Sequence, residues 1–308
     1  KISLSKKIIL LAGPTASGKS KLAIQIAIKI KGEIINADSM QVYKDFSILS
    51  SRPSKVDLKK VKHHLYGFIS SKKHFSTGAW LSLVKKKIKI CLKKKKIPIL
   101  VGGTGLYFEA ITKGMSKIPN IDFKKRNKVR NLQTKLGQKE FYKHLLALDL
   151  LVKNKIEPFD SQRSIRAYEV KKFTKKSIFE WYKLTKSDFK EFEIYKIFLD
   201  APREKILQNI SRRTKKMIKS NSISEVKNFL KLNVDPTLSA NKIIGVKEIK
   251  DYLEKKLDLN QAIELINIKT RQYAKRQVTW SRGHMTDWKR EYSNSFSEIS
   301  KKVLKLLS

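Results

Sequence analysis

Short apolar runs alternate with amphipathic segments along the first hundred residues. The run from Lys7 to Ala12 predicts a buried parallel strand, because its apolar residues leave no polar face. Apolar residues then recur at positions 22, 23, 26, 27 and 30, which predicts a helix over 19–31 with Gly32 as its C-cap. Alternation of strand and helix at this spacing predicts a parallel sheet with right-handed crossovers. Further elements are expected as strands at 33–37 and 97–101 and as an amphipathic helix at 79–96.

The pattern changes between residues 122 and 186, where helical periods and many lysines occur without a strand signal. A later apolar run at 195–199 predicts a strand that returns to the sheet. The simplest architecture is an α/β core interrupted by a helical domain, with the core in residues 1–121 and 187–308 and the insertion in residues 122–186. Helical periods follow the last predicted strand at 203–220, 225–232, 243–257 and 261–277.

The formal net charge of +42 over 308 residues has two interpretations. It favours binding to a polyanion such as RNA, where counterion release drives affinity. The same excess is typical of a genome rich in A and T, because lysines far outnumber the 12 arginines among 69 basic residues. Charge alone therefore leaves both readings open, and the rarer arginines say more about specific contacts with anions.

The composition favours a cytoplasmic enzyme. The chain has no run of eighteen apolar residues, so no membrane span is expected. The apolar residues 8–12 are too few for a secretory signal and lead directly into a glycine-rich motif. The single cysteine, Cys91, excludes an intramolecular disulfide and is expected to be a small buried apolar side chain.

A glycine-rich segment joins the first predicted strand to the first predicted helix and fits the pattern G-x-x-x-x-G-K-[ST]. Its glycines let backbone N–H groups turn toward phosphate oxygens, and the helix N-terminus adds its positive dipole end. Lys19 brings a full charge to the phosphates, and Ser20 offers a hydroxyl ligand for Mg²⁺. The motif predicts a P-loop NTPase-like core that binds a nucleotide such as ATP, or a diphosphate. The loop residues are Gly13, Pro14, Thr15, Ala16, Ser17, Gly18, Lys19 and Ser20.

Asp38 is the acidic residue that follows a predicted core strand near the P-loop. Ligands in open α/β sheets bind outside the carboxyl ends of the strands, so Asp38 is expected to face whatever the P-loop binds. An ATPase usually carries an acid at the end of an apolar strand, but the strand at 97–101 ends in Gly102-Gly103-Thr104. A helix N-cap or a magnesium ligand remain the alternative roles for Asp38.

Six sequence blocks resemble those of the tRNA dimethylallyltransferase family, in the family's order. The first two are the P-loop and the segment from Asp38 to Tyr43. The blocks span residues 13 to 280, and the ordered set is far more specific than a P-loop alone. The remaining blocks are His63-His64-Leu65, Gly102–Tyr107, Ile156–Arg163 with Arg166–Val170, and Arg271–Trp280.

The resemblance implies a prenyl transfer. In this family, dimethylallyl diphosphate donates a five-carbon group to N6 of the adenine just 3′ of the anticodon, giving N6-isopentenyladenosine and pyrophosphate. That adenine is flipped out of its stack, as expected for chemistry on a base. The family pattern implies that Asp38 accepts the N6 proton, that Thr104 positions the flipped nucleotide and that Arg213 reaches the diphosphate. Mg²⁺ on Ser20, with Lys19 and the loop amides, would stabilise the departing pyrophosphate.

The resemblance also implies that the helical insertion contacts tRNA. The expected partners are the anticodon stem-loop of tRNA and dimethylallyl diphosphate, with no membrane, and the protein is expected to act as a monomer. Arg271, Lys275 and Arg276 add a basic stripe to what is expected to be the last helix. The residues implied to bind tRNA are Asp38, Ser39, Met40, Gln41, Thr104, Arg126, Gln162, Arg163, Ser164, Ile165, Arg166, Lys242 and Lys247.

The chain departs from the family pattern around these groups rather than on them. The usual glycine and threonine are missing from residues 46–53, although the basic-proline pair remains. Tyr66-Gly67 stands where an acidic residue is common, and Val246 replaces an aromatic residue. These changes bear on loop geometry and on rate.

Three other functions account for part of the sequence. A P-loop kinase explains the P-loop and Asp38 but not the blocks at 156–170 and 271–280, and it would release ADP from ATP. An isopentenyltransferase acting on free adenine nucleotides needs no long basic insertion and would act equally on AMP and on tRNA. A non-catalytic RNA-binding protein with a relic P-loop would not need Lys19, Ser20 and Asp38 intact.

Overall fold

The computed structural model describes residues 6–292 and 295–307. The chain divides into two compact units. The first combines Lys1–Ala110 with Lys190–Ser308, and the second is Ile111–Phe189. The expected insertion at 122–186 lies within the second unit.

The first unit is built on one sheet of six parallel strands. The strand order is β3-β2-β4-β1-β5-β6, so the strand that precedes the P-loop lies inside the sheet. Leu10 pairs with Leu100 on one side and with Lys196 on the other. The strands are β1 Lys7–Ala12, β2 Glu33–Asn36, β3 His63–His64, β4 Pro98–Gly102, β5 Glu193–Asp200 and β6 Lys289–Tyr292.

Twelve α-helices occur in the described part of the chain. Among the described residues, no helix combines the length and the apolar character needed to cross a membrane. The helices are α1 Lys19–Ile30, α2 Lys55–Lys60, α3 Thr77–Lys93, α4 Gly105–Thr112, α5 Phe123–Leu148, α6 Ser161–Thr174, α7 Ile178–Lys183, α8 Arg203–Lys219, α9 Ser222–Lys231, α10 Val246–Leu253, α11 Leu259–His284 and α12 Phe296–Leu307.

A hydrophobic core fills the space between the sheet and two helices of the first unit. Ile9 and Ile99 are fully buried on the sheet, and Leu22 and Ile26 of α1 pack against this face. Val303 of α12 closes the same cluster. Burial of this apolar face fixes α1, and with it the loop that precedes α1, against the carboxyl end of β1.

The second unit is helical throughout its regular elements. α5 and α6 pack through Phe141 and Leu145 on one side and Ala167 on the other, all fully buried. α5 is interrupted at Gly137, whose φ of 72° lies outside the helical region. Glycine adopts this angle without the steric cost that a side chain would bring, so the helix changes direction there.

The expected α/β class with a parallel sheet is confirmed, with corrections to single elements. The C-cap of α1 is Lys31, with a left-handed φ of 51°, rather than Gly32. Strand β6 and helix α12 were not expected, so the stripe containing Arg271 lies on the penultimate helix. Strand β3 carried no signal because two residues show no periodicity.

Candidate active site

The P-loop forms the tight turn between β1 and α1. Gly18 has a φ of 90°, a left-handed angle that a glycine adopts at little cost. Lys19 folds back over the loop and its Nζ donates a 3.1 Å hydrogen bond to the Pro14 carbonyl. Burial, reinforced by the charge of Arg213 and opposed by that of Asp38, lowers the pKa of Lys19 to about 8. Ser20 is exposed at the start of the helix.

Helix α8 supports the P-loop from the side. The Nη1 of Arg213 donates a 2.9 Å hydrogen bond to the Thr15 hydroxyl, and Asn209 Nδ2 donates to the Ala16 carbonyl at 3.0 Å. The Nε of Arg213 is buried and has no hydrogen-bond partner among the described residues. Burial lowers the pKa of Arg213 while Asp38 raises it, yet a guanidinium remains charged in a protein. A half-buried cation whose buried Nε has no partner among the described residues fits an anionic ligand beside a P-loop.

Asp38 lies just beyond the carboxyl end of β2 and is held by its neighbours. Its backbone N–H donates to Asn36 Oδ1 at 2.8 Å, and its Oδ1 accepts from the Met40 N–H at 2.9 Å. The adjacent Ser39 N–H donates to the Thr104 hydroxyl at 2.9 Å, which joins this segment to the loop after β4. The sequence prediction that Asp38 faces the P-loop agrees with this geometry, because Asp38 lines the same cavity as Lys19.

Two cavities meet at Asp38. The first holds about 200 Å³ and is lined by P-loop residues including Lys19 and Ser20. The second holds about 170 Å³ and is lined by apolar side chains such as Met217 and Ile266 together with polar ones such as Thr214 and Thr270. Both cavities are lined by Thr15, Asp38, Ser50, Ser51 and Arg213. Asp38 and Arg213 therefore border the P-loop cavity on one side and the cavity with Met217 and Ile266 on the other.

The loop at 46–52, which departs from the family pattern, is held by side chains. Glu225 of α9 accepts hydrogen bonds from the backbone N–H groups of Ser47, Ile48 and Leu49, the last two at 2.9 Å. Gln41 donates to the Ser50 and Ser51 carbonyls at 2.8 and 3.0 Å. These contacts fix the segment that borders both cavities.

Some residues expected to bind tRNA lie together in the first unit. Ser39, Met40, Gln41 and Thr104 surround Asp38 through the contacts above or border one of the two cavities. Lys242 is exposed at the edge of the apolar cavity. Lys247 is exposed on α10.

The other residues expected to bind tRNA lie in the second unit, on α5 and α6. Gln162 and Arg163 are exposed, and Arg163 pairs with Asp160 at 3.4 Å. Ile165 is half-buried and packs against the helical core. Ser164 is fully buried, and its hydroxyl accepts a hydrogen bond from Gln138 Nε2 at 3.3 Å.

Arginines converge on one buried carboxylate in the second unit. Arg166 Nη1 lies 3.4 Å from Glu169, which is only 3% exposed. Burial raises the pKa of Glu169, while Arg166, Arg126 and Arg130 each act to lower it. The Nε of Arg126 is buried without a hydrogen-bond partner among the described residues. Because three arginines act on the single carboxylate of Glu169, this part of the second unit carries net positive charge.

Sequence reasoning missed several side chains that shape the site. Asn209, Glu225 and Gln277 each hold a loop of the site, yet an uncharged or isolated residue on a helix gives no chemical signal. Gln277 lies inside the block at 271–280, and its contacts join the P-loop to the loop after β4. Trp280 is half-buried and stacks on His284 with ring centres 4.3 Å apart.

The histidine pair of the third family block, His63-His64, lies at strand β3. His64 is buried and its Nε2 lies 2.6 Å from Glu33, while the Cys91 thiol donates to the same carboxylate at 3.6 Å. Burial and Glu33 raise the pKa of Cys91 to about 12, which keeps the thiol protonated. Glu33 is at the first position of β2, at the opposite end from Asp38, so this trio stabilises the sheet away from the two cavities.

The parallel sheet, the loop between β1 and α1, and the carboxylate beyond β2 define a P-loop protein of the α/β class. The family model described as IPP transferase matches residues 41–284. The chain belongs to the IPP transferase family and is a prenyl transferase.

Relatives named as tRNA dimethylallyltransferases and solved structures agree with this assignment. The chain is 56% identical to a tRNA dimethylallyltransferase of Pelagibacter ubique over 92% of this chain and 90% of that one. It is 43% identical to one of Rickettsia felis over 96% of both. A crystal structure of the full-length tRNA isopentenylpyrophosphate transferase of Bacillus halodurans is similar with a TM-score of 0.70 and 27% identity, covering 98% of this chain and 97% of that one. A eukaryotic dimethylallyltransferase acting on tRNA gives a TM-score of 0.81 and 27% identity, covering 95% of this chain and 75% of that one.

Proposed function

We propose that this protein transfers a dimethylallyl group from dimethylallyl diphosphate to N6 of the adenine 3′-adjacent to the anticodon of tRNA. The products are N6-isopentenyladenosine and pyrophosphate. The observation that carries the proposal is the position of Asp38 on the border shared by the P-loop cavity and the apolar cavity. The relatives named as tRNA dimethylallyltransferases support the same reaction.

The P-loop cavity suits the diphosphate. Backbone amides at the start of α1, the Lys19 ammonium and the Arg213 guanidinium present positive charge to one space. The Nε of Arg213, which has no hydrogen-bond partner among the described residues, adds a further donor. As the allylic C–O bond breaks, its electron pair stays on the diphosphate oxygen, and these groups stabilise the growing negative charge.

Mg²⁺ fits the same cavity. The Ser20 hydroxyl is exposed at the helix start, and Asp38 lines the cavity that contains it. Hydroxyl, carboxylate and phosphate oxygens are the hard ligands that Mg²⁺ prefers. We assign Ser20 as the protein ligand, and the ion supplies further neutralisation of the diphosphate charge.

The Asp38 carboxylate is the proposed acceptor of the adenine N6 proton. Adenine N6 is a weak nucleophile because its lone pair is delocalised into the ring. When the new N6–C bond forms, one N6 proton passes to the Asp38 carboxylate, which strengthens the nucleophile in the transition state. Thr104 acts with Ser39 to place the flipped base, since its hydroxyl already accepts the Ser39 N–H at 2.9 Å. The apolar lining of the second cavity limits access of water to the allylic carbon.

Each of the two units carries exposed cations that suit a polyanion. Lys242 and Lys247 are exposed in the first unit, and Arg163 is exposed in the second. We propose that these cations, with Arg126, Arg166 and Gln162, bind the phosphates of the anticodon stem-loop. We also propose that the reaction takes place in the cytoplasm with its tRNA substrate and that the protein acts as a monomer.

Mass spectrometry of tRNA nucleosides tests the function. Purified protein is incubated with unmodified tRNA, dimethylallyl diphosphate and Mg²⁺, and the tRNA is digested to nucleosides. We expect N6-isopentenyladenosine and an equal amount of pyrophosphate, with no ADP formed from added ATP. Lys19→Ala is the control, because it should weaken the binding of dimethylallyl diphosphate while leaving tRNA binding intact. Release of ADP, or equal modification of free AMP, would contradict the proposal.

A further inference from the structure

Gln277 of α11 lies between the two loops that build the site. The Thr15 N–H of the P-loop donates a 2.8 Å hydrogen bond to Gln277 Oε1. On the other side, Gln277 Nε2 donates a 2.9 Å hydrogen bond to the Gly103 carbonyl in the loop after β4. The side-chain amide of Gln277 therefore joins the P-loop to the loop after β4.

The approach of Gln277 to the second loop depends on a missing side chain. A Cβ at position 103 would lie 2.1 Å from Gln277 Nε2, well inside the normal contact distance. Glycine at this position allows the amide to reach the backbone. The Gln277 side chain thus contacts backbone groups of both loops rather than their side chains.

Each end of the bridge is next to a group with a proposed role. Thr15 also accepts the hydrogen bond from Arg213, which faces the phosphate cavity. Gly103 precedes Thr104, whose hydroxyl accepts the N–H of Ser39 beside Asp38. The amide thereby connects the donor side of the site to the side where the base is proposed to bind.

We propose that Gln277 is a positioning residue that sets the distance between the diphosphate in the P-loop and the adenine held at Asp38 and Thr104. The inference rests on the proposed function. Bond formation needs the reacting atoms about 3–3.5 Å apart and aligned, and a displacement of about 1 Å can reduce the rate on the order of 10²-fold. A residue that fixes both loops controls this distance without touching either substrate.

The chemistry of the amide explains why glutamine is required. The bridge needs an acceptor for the Thr15 N–H and a donor for the Gly103 carbonyl, which a primary amide supplies in one group. Glutamate has nearly the same shape but only acceptors, so its carboxylate would repel the Gly103 carbonyl. Leucine removes both bonds and leaves the backbone groups without partners.

The test compares Gln277→Glu and Gln277→Leu with Gln272→Glu, an exposed position on the same helix. Inorganic pyrophosphate binding reports on the P-loop, and tRNA binding reports on the RNA surface. Single-turnover transfer at saturating dimethylallyl diphosphate and tRNA reports on the reaction itself. We expect both Gln277 variants to bind pyrophosphate and tRNA within about threefold of wild type, while the transfer rate falls by roughly 10- to 100-fold. Gln272→Glu should match wild type.

Other outcomes distinguish a failure of the positioning role of Gln277 from a failure of the proposed function. A Gln277→Glu rate equal to that of Gln272→Glu would overturn the positioning role, as would a loss of pyrophosphate binding as large as the loss of rate. If Gln277→Leu fails to fold, the nearly isosteric Gln277→Glu decides the matter alone. Absence of prenylated adenosine with wild type and with Gln272→Glu would reject the proposed function, and the inference with it.

Discussion

Arg213 donates a 2.9 Å hydrogen bond to the hydroxyl of Thr15, although 198 residues separate them along the chain. The contact turns the arginine of α8 toward the P-loop and leaves its buried Nε without a partner among the described residues. A cation in this state loses hydration without gaining full compensation from the protein. Its position is explained most simply by an anionic ligand that completes its hydrogen bonds.

Replacement of Arg213 should therefore impair the departure of the diphosphate. We expect Arg213→Gln to lower kcat/KM for dimethylallyl diphosphate by about 10²–10³-fold, because one preorganised donor to a developing charge has about this effect. The tRNA dissociation constant should stay unchanged. Arg212→Gln is the matched control, because Arg212 is the exposed neighbour on the same helix. Equal kinetics for the two variants would remove Arg213 from the mechanism.

The lowered pKa of Lys19 predicts an alkaline limb in donor binding. Burial lowers this pKa to about 8, so the free enzyme loses the Lys19 charge as the pH rises above that value. We expect kcat/KM for dimethylallyl diphosphate, measured at low donor and saturating tRNA, to fall about tenfold per pH unit above the apparent pKa. The exposed Lys21 serves as control, since Lys21→Ala should show the same fall of kcat/KM at alkaline pH as wild type. A kcat/KM for dimethylallyl diphosphate that stays constant up to pH 10 would contradict the role of the Lys19 charge in donor binding.

The Glu225 carboxylate should stabilise the loop at 46–52. It accepts three backbone N–H groups, from Ser47, Ile48 and Leu49, and a carboxylate strengthens such bonds relative to a neutral acceptor. Glu225→Gln keeps the shape but loses the charge, and we expect it to reduce the free energy of unfolding by about 1–3 kcal/mol. Urea titration measures the change. Glu254→Gln, on an exposed carboxylate, should cost less than about 0.5 kcal/mol, and equal effects would reject the loop contacts.

The buried pair of Glu33 and His64 predicts an acid-dependent stability. Burial alone would raise the pKa of Glu33, but the hydrogen bond and charge of His64 outweigh it and the pKa lies below 4.5. A lowered carboxyl pKa stabilises the folded state above the unfolded pKa, and that contribution is lost as the pH falls through the folded value. Glu33→Gln should therefore be less stable than wild type at pH 7, and the difference should shrink below about pH 4. A stability difference that does not change with pH would show that folding leaves the pKa of Glu33 unchanged, contrary to this prediction.

The sequence predicted the parts of the molecule that depend on local order. β1, the P-loop and α1 follow one another directly, so the apolar run, the glycines and Lys19 were readable without tertiary information. β6 was missed because Lys289–Tyr292 is a polar strand at the edge of the sheet, where only pairing with β5 defines it. The C-cap of α1 was placed one residue late, because Lys31 adopts the left-handed angle usually taken by glycine.

Supporting contacts of the site could not be read from the sequence for a different reason. Gln277 is 262 residues from Thr15, and Glu225 is 177 residues from Ile48. Such pairs are created by the packing of α9 and α11, and neither residue carries a charge pattern or spacing that indicates its partner. Burial of a single side chain is equally hidden from the sequence, because Ser164 stands beside the exposed Arg163 and is itself fully buried.

The role of Asp38 is the central claim, and single-turnover transfer with Asp38→Asn tests it most directly. Wild type and variant are mixed with saturating dimethylallyl diphosphate and tRNA, and N6-isopentenyladenosine is counted over time while tRNA affinity is measured separately. We predict a transfer rate lower by about 10²–10⁴-fold, since an amide cannot accept the N6 proton, with tRNA affinity within about twofold of wild type. A variant that transfers the prenyl group at the wild-type rate would contradict the account.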